Sequence, residues 1–274
     1  MKKLIALMMT AMLAVACTFA FSACGSAKDV DEIKKAGKLV VATEASFPPF
    51  ESKEGGKYVG IDIEIAEAIA KELGVELEVK DMEFDSVVTS VQKGQSDLGI
   101  AALTINEERS AVINFSTDYF GAAQYVIVAK TNTDFDACVN KEDVDKVLAS
   151  YPNGTEVVAQ SGTTGFYYVK GSEAFEFNGF SNLKAIGLDT PVLGAQGVAN
   201  GQYKALIVDD EVAAQLVKSN ENVKTIKIAL NSEKYGIAVN KGSKKLLETV
   251  NKVLADLKES GKLQEIIKKY TDAE

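Results

Sequence analysis

Apolar residues recur every four positions at Ile65, Ile69 and Leu73. That spacing lays one apolar stripe along a helix. Asp62 is the expected cap at its start, and Gly74 the expected stop. Directly afterwards Val75, Leu77 and Val79 alternate with Glu76, Glu78 and Lys80, the period of a half-buried strand. A compact strand from Lys38 to Thr43 precedes this pair. The prolines of Phe47-Pro48-Pro49-Phe50 exclude a helix or a central strand between them. A second helix is predicted over 85–93, stopped at Gly94, and another strand over 97–100. The β-α-β-α-β order predicts a parallel sheet covered by helices.

The alternation returns later in the chain. Residues 157–159 read as a strand, 161–165 as a tight turn, and a helix is expected from near Phe166. Pro191 opens a helix over 192–199, and 205–208 form a buried strand that ends in Asp209-Asp210. Leu246, Leu247, Val250, Leu254 and Leu257 mark a closing helix over Lys244–Glu259, followed by a short one after Gly261. Two βα blocks predict two α/β lobes.

The first 24 residues follow a different pattern. Lys2 and Lys3 precede an apolar run from Leu4 to Ala16, and small residues follow. The run is shorter than the ~20 residues of a spanning helix. The layout predicts a secretory signal peptide over 1–23. Phe21-Ser22-Ala23-Cys24 resembles a bacterial lipobox, with Phe21 where that motif usually has Leu. Cys24 is therefore the expected lipidation site, with Cys17 as the competing acceptor. Several acyl chains there would anchor the protein durably, and residues 24–37 are expected to form an acylated tether that ends in a short helix.

Composition narrows the chemistry. Of the 274 residues, 46% are hydrophobic and 25% charged, so a packed core is available. The net charge of −9 argues against a nucleic-acid partner. Histidine is absent, which removes His-dependent nucleophilic triads and the commonest metal ligand. No metal or cofactor is expected. Beyond Cys24 only Cys138 remains, so there is no internal disulfide, and Cys138 reads as a half-buried apolar filler.

Ligands of open α/β sheets lie beyond the C-terminal ends of the strands. Glu44 and Phe47 follow the first strand, Thr104 and Arg109 follow the strand near 97–103, Thr163, Thr164 and Gly165 follow 157–160, and Asp209 follows 205–208. Together they suit a zwitterion. A guanidinium grips a carboxylate through two parallel hydrogen bonds. A Gly-rich turn opening a helix presents N–H groups to an anion. An aspartate accepts from an ammonium, and Phe47 and Phe84 are placed to sandwich the rest. Each residue also has a plainer reading. Arg109 suits a surface ion pair, Thr104 a strand-end cap, Asp209 a helix N-cap, Glu44 a solvated charge, and the phenylalanines core.

Several segments resemble the bacterial polar amino-acid-binding proteins of ABC importers, the family 3 solute-binding proteins. They are Gly60-Ile61-Asp62-Ile63-Glu64-Ile65-Ala66, Thr104-Ile105-Asn106-Glu107-Glu108-Arg109, Phe115-Ser116-Thr117-Asp118-Tyr119, Gln160-Ser161-Gly162-Thr163-Thr164 and Tyr235-Gly236-Ile237-Ala238. They fall in consistent order between Lys38 and about Tyr270. The resemblance implies a two-lobed type II periplasmic-binding-protein-like α/β fold. Lobe 1 would comprise 38–119 and 237–274, lobe 2 would comprise 124–232, and the crossover hinges would lie at 120–123 and 233–236. It implies that Arg109 and Thr104 hold the α-carboxylate of a free amino acid, helped by the backbone at Ala102 and Thr164. Asp209 would bind the α-ammonium, Phe47 and Phe84 would flank the side chain, and Glu44 and Gln160 would face its far end. Asn106, Asn114 and Asp118 depart from the family's usual Thr, acid and Pro, and Glu44 is longer than the Asp often found there.

The implied function is the extracytoplasmic binding component of an importer, without enzymatic activity. The expected location is the outer face of the cytoplasmic membrane or the periplasm. A permease with its ATPase is the expected partner, the membrane is reached through Cys24, and a monomer is expected. Glu44, with Glu51 nearby, favours a basic side chain, then glutamine. The alternatives are cystine, or a dehydratase of small carboxylates that uses Glu44 as its pocket acid.

Overall fold

The structure, a computed structural model, describes residues 27–271. The signal-peptide and Cys24 expectations lie outside those residues. Two five-stranded sheets organise the chain. The first runs in the order Glu76–Asp81, Lys38–Thr43, Leu98–Gly99, Ala238–Val239, Asn114–Phe115. Its first three strands are parallel, and Ala238–Val239 is antiparallel to Leu98–Gly99. The second repeats this plan as Leu183–Leu188, Thr155–Gln160, Ala205–Asp209, Gln124–Ala129, Val223–Ile226. Its first three strands are also parallel, and Gln124–Ala129 runs antiparallel to both neighbours. The protein is a two-lobed α/β fold. Its lobes are joined by Phe120–Ala122 and Glu233–Tyr235, which pair antiparallel with each other.

The helix Ile61–Leu73 buries Ile61, Ile65, Ile69 and Leu73, and Gly74 closes it in the left-handed conformation. Its start differs from the expected cap. Gly60 is the N-cap, at φ 133°, and an added Cβ would fall 2.1 Å from the Phe50 carbonyl oxygen. Only glycine fits so close to backbone. Asp62, one residue inside the helix, points inward. It accepts from the Ala102 N–H at 2.8 Å and the Tyr119 hydroxyl at 2.9 Å.

The short helix expected at the end of the tether is present, and it is packed against the first lobe. The helix Val30–Ala36 buries Ile33 against the first lobe's core. Asp29 caps this helix and also accepts from the Leu246 N–H at 2.7 Å. Within the described residues, packing therefore already includes the segment before Lys38. Apolar burial and a shared cap hold a segment whose polar composition alone reads as linker. In the second lobe, Val126, Val128, Val157 and Ile207 form a separate core against which Cys138 packs half-buried.

Candidate functional site

The residues expected at strand ends meet in the cleft between the lobes. On the first lobe, Glu44 follows Lys38–Thr43. Arg109 sits in the helix Glu107–Val112, whose N-cap Asn106 accepts from the Arg109 N–H at 2.8 Å. On the second, Gln160 ends Thr155–Gln160, Thr164 opens the helix Thr164–Lys170, and Asp209 ends Ala205–Asp209. The lobes touch. Arg109, 8% exposed, donates from Nη1 to the Thr104 carbonyl at 2.9 Å and from Nη2 to the Gly162 carbonyl at 3.1 Å. Its guanidinium lies over Phe84 at 5.3 Å and Phe175 at 5.8 Å, a cation held between two rings. Gln160 Nε2 donates to Glu44 Oε2 at 3.0 Å.

A carboxylate from the crossover strand joins them. Glu233 Oε2 accepts from the Thr104 hydroxyl and from Thr164 Oγ1, the latter at 2.9 Å. Its Oε1 accepts from Gln124 Nε2 at 2.9 Å and Asn231 Nδ2 at 2.7 Å. Asp209 accepts from the Tyr235 hydroxyl.

Three of the expected residues have partners that the sequence does not suggest. Ala102 sits at φ 46°, and its N–H is committed to Asp62, so it is not a spare donor in the cleft. Asp209 stands at the N-cap of Asp210–Ser219 without a side-chain bond to that helix, because its carboxylate turns to Tyr235. Phe47 is buried beside Phe50, at 6.3 Å between ring centroids, while Phe84 faces Arg109. Glu233, Gln124, Tyr235 and Phe175 join the cleft, although the sequence gives Glu233 and Tyr235 only a place in a crossover hinge and the other two no signal. The first three lie on or beside the crossovers, where nothing in local periodicity points to a cleft.

Burial sets the electrostatics. Glu44, 7% exposed, has its carboxyl raised above the ordinary range by desolvation; the Ser46 and Gln160 hydrogen bonds oppose this, and Asp81 and Glu83 add to it. Asp209 is pushed up to about 7, first by burial and then by the charge of Glu233. Behind the cleft, Asp62 is raised to about 6 by burial. Glu51, fully buried beside it, is raised well above its usual range by burial and then by Asp62. Asp62 Oδ1 and both Glu51 carboxyl oxygens are buried with no hydrogen-bond partner. Desolvation lowers Arg109. Among the described residues, no group of three or more His, Cys, Asp or Glu is placed to hold a metal ion.

The raised carboxyls give the folded, empty protein more bound protons than the unfolded chain. Their stabilisation is full below ordinary carboxylate pKa values and is lost as pH rises through about 6 for Asp62 and about 7 for Asp209. The empty protein is expected to melt several degrees higher near pH 5 than near pH 8, since each tenfold gain in proton affinity on folding is worth about 1.4 kcal/mol. A melting temperature that stays flat or rises across that window would contradict the assignment.

The model for bacterial extracellular solute-binding proteins, family 3, matches residues 39–273. The chain belongs to that family. This family 3 protein is 33% identical over 267 residues to the arginine-binding extracellular protein ArtP of Bacillus subtilis, covering 96% of this chain and 97% of ArtP. Among solved structures, it is similar to the amino acid ABC transporter substrate-binding protein AbpA of Streptococcus pneumoniae bound to L-arginine. The TM-score is 0.75 at 34% identity, covering 87% of this chain and 96% of AbpA. It is also similar to AncCDT-1, an ancestral amino acid-binding protein described as a precursor of cyclohexadienyl dehydratase. There the TM-score is 0.76 at 31% identity, covering 88% and 99%.

Proposed function

We propose that this solute-binding protein closes on a free basic L-amino acid, arginine above all, and delivers it to the permease and ATPase of an ABC importer. One observation carries the choice of side chain. At the far end of the cleft, Glu44 and the buried, unpartnered Oε1 of Gln160 are both acceptors. The adjoining cavity, about 270 Å³, is lined by Glu44, Asp81, Glu83 and Asp189 with Met82 and Thr190, and by no basic residue. A guanidinium carries five donors and no acceptor, so it satisfies both oxygens and offsets the acids. A glutamine amide brings an oxygen as well as a nitrogen and leaves part of that demand unmet. A cystine half brings a second ammonium and a second carboxylate, and the carboxylate meets the same acids.

In this reading Arg109 and Thr104 take the α-carboxylate with Thr164, and Asp209 takes the α-ammonium. Phe84 and Phe47 flank the chain. Closure turns on the crossovers at 120–123 and 233–236. Binding residues come from both lobes, so ligand favours the closed form through contacts that the open form lacks. The named arginine specificity of ArtP and the arginine bound to AbpA support the same assignment. Glu44 faces an amide rather than a base, which favours a binding protein over a dehydratase. Cys24 is read as the acylated anchor of a monomer held at the outer face of the membrane.

A thermal-shift panel of the twenty amino acids and cystine tests the ligand class. Arginine and lysine should give the largest rises, since ligand stabilises by RT ln(1 + [L]/Kd). No rise with any of them would sink the amino-acid assignment.

A further inference from the structure

The α-carboxylate end of the cleft already contains a carboxylate. Glu233 is 6% exposed and lies on the crossover strand Glu233–Tyr235. Its Oε2 is bonded by the hydroxyls of Thr104 on one lobe and Thr164 on the other. Thr104 and Thr164 are residues that the proposed function gives to the ligand's α-carboxylate. Arg109 feels the Glu233 charge, although its nitrogens bond the carbonyls of Thr104 and Gly162. A second carboxylate cannot enter beside Glu233 without like-charge repulsion in a buried site.

We propose that Glu233 is a built-in stand-in for the ligand's α-carboxylate. It bridges Thr104 of one lobe to Thr164 of the other. An incoming amino acid displaces it from those hydroxyls. There is space for the displaced group. A cavity of about 420 Å³ adjoins Thr104, Thr164 and Glu233 and extends past Asn106, Phe175 and Asn231. Asn231 and Gln124 already hold the other Glu233 oxygen, so the side chain can turn about that end while remaining hydrogen-bonded. The incoming carboxylate prevails because it adds Arg109 as a charge-assisted partner.

This makes Glu233 a specificity residue with opposite effects on two ligand classes. A ligand with an α-carboxylate must move it. A ligand that keeps the amine and the cationic tail but lacks the carboxylate leaves Glu233 in place and uses its charge. Arginine and agmatine, its decarboxylated form, are such a pair. The cleft's own acids favour the amine as well, since both Glu233 and Asp209 act on the guanidinium of Arg109 and Glu44 stands at the far end.

The proposal rests on the amino-acid reading above, and the test separates the two. Arginine and agmatine are titrated calorimetrically into the full-length wild type and Glu233→Gln. The substitution should tighten arginine at least about threefold and weaken agmatine at least about threefold, because it removes one charge that repels the first and attracts the second. Weakening of both ligands would place Glu233 on the ligand's ammonium and overturn the proposal. So would two unchanged affinities, which would make the bridge purely structural. If wild type binds neither ligand, the amino-acid reading fails. The bridge is then read from small-angle scattering of the empty proteins, where Glu233→Gln should expand the molecule relative to wild type and an unchanged profile overturns the proposal. Glu233→Asp keeps the charge but shortens its reach past the Thr104 and Thr164 hydroxyls; it serves if Glu233→Gln does not fold, should expand the ligand-free protein in the same scattering measurement, and an unchanged profile overturns the proposal.

Discussion

Arg109→Ala is expected to weaken arginine binding by at least about tenfold, the equivalent of roughly 1.5 kcal/mol for a hydrogen bond to a charged group. The side chain is buried between Phe84 and Phe175 and reaches from the first lobe to the Gly162 carbonyl of the second. Its loss removes the cation that balances an entering carboxylate. It also removes a contact that exists only when the lobes are together, so closure weakens along with the grip on ligand. Arg109→Lys should recover little of this. An ammonium cannot span the Thr104 and Gly162 carbonyls in one plane or stack between two rings as a guanidinium does. Calorimetric titration of the three proteins reads the result directly. An unchanged affinity in Arg109→Ala would remove the residue from the site.

Gly162→Ala is expected to produce a comparable loss by a different route. Gly162 adopts φ +73°, and a Cβ there would lie 1.5 Å from Asp85 Oδ1 and 2.7 Å from its carboxyl carbon. Gly162 belongs to the second lobe, whereas Asp85 belongs to the helix Phe84–Gln92 of the first. The methyl group therefore acts at the closing seam. A left-handed non-glycine residue costs about 1–2 kcal/mol, and expelling Asp85 adds to this in the closed form. The expected loss of arginine affinity is at least about fivefold, with both lobes still folded. The double variant Gly162→Ala with Asp85→Ala separates the two contributions. Recovery of affinity assigns the loss to the clash across the cleft, and no recovery assigns it to the backbone. Full affinity in Gly162→Ala alone would show that the seam opens without cost to binding.

Much of the fold is legible in the sequence because long periodic segments carry their own signal. The helices Ile61–Leu73 and Lys244–Glu259 and the strand after Gly74 stand where the apolar spacing puts them. The strand Gln124–Ala129 escapes the same reading, because Gln-Tyr-Val-Ile-Val-Ala is a nearly continuous apolar run with no alternation to follow. Asp62 misleads for a local reason. An acid near a helix start suggests a cap, yet Gly60, two residues earlier, holds the N-cap and the Asp62 carboxylate accepts from Ala102 and Tyr119 instead.

The site divides along similar lines. Glu44, Thr104, Arg109, Thr164 and Asp209 are legible because strand ends are a position rule that needs no partner, whereas Gln160 enters only through the family resemblance. Glu233 is not, because what matters about it is its partners. Thr104 is 129 positions away and Thr164 is 69 positions away. The segment Glu233–Tyr235 reads in sequence only as a crossover. Phe175 lies in a single helical turn, Glu173–Phe175, that has no periodic signature, and its role emerges only where Arg109 meets it.

A crystal structure of the protein with L-arginine is the decisive measurement for the binding mode. The α-carboxylate should be hydrogen-bonded to Arg109 and Thr104, the α-ammonium should rest on Asp209, and the guanidinium should lie between Glu44 and Gln160 Oε1. An arginine bound outside the interlobe cleft, or one lying in it with the guanidinium at Asp209 and the carboxylate toward Glu44, would contradict that mode.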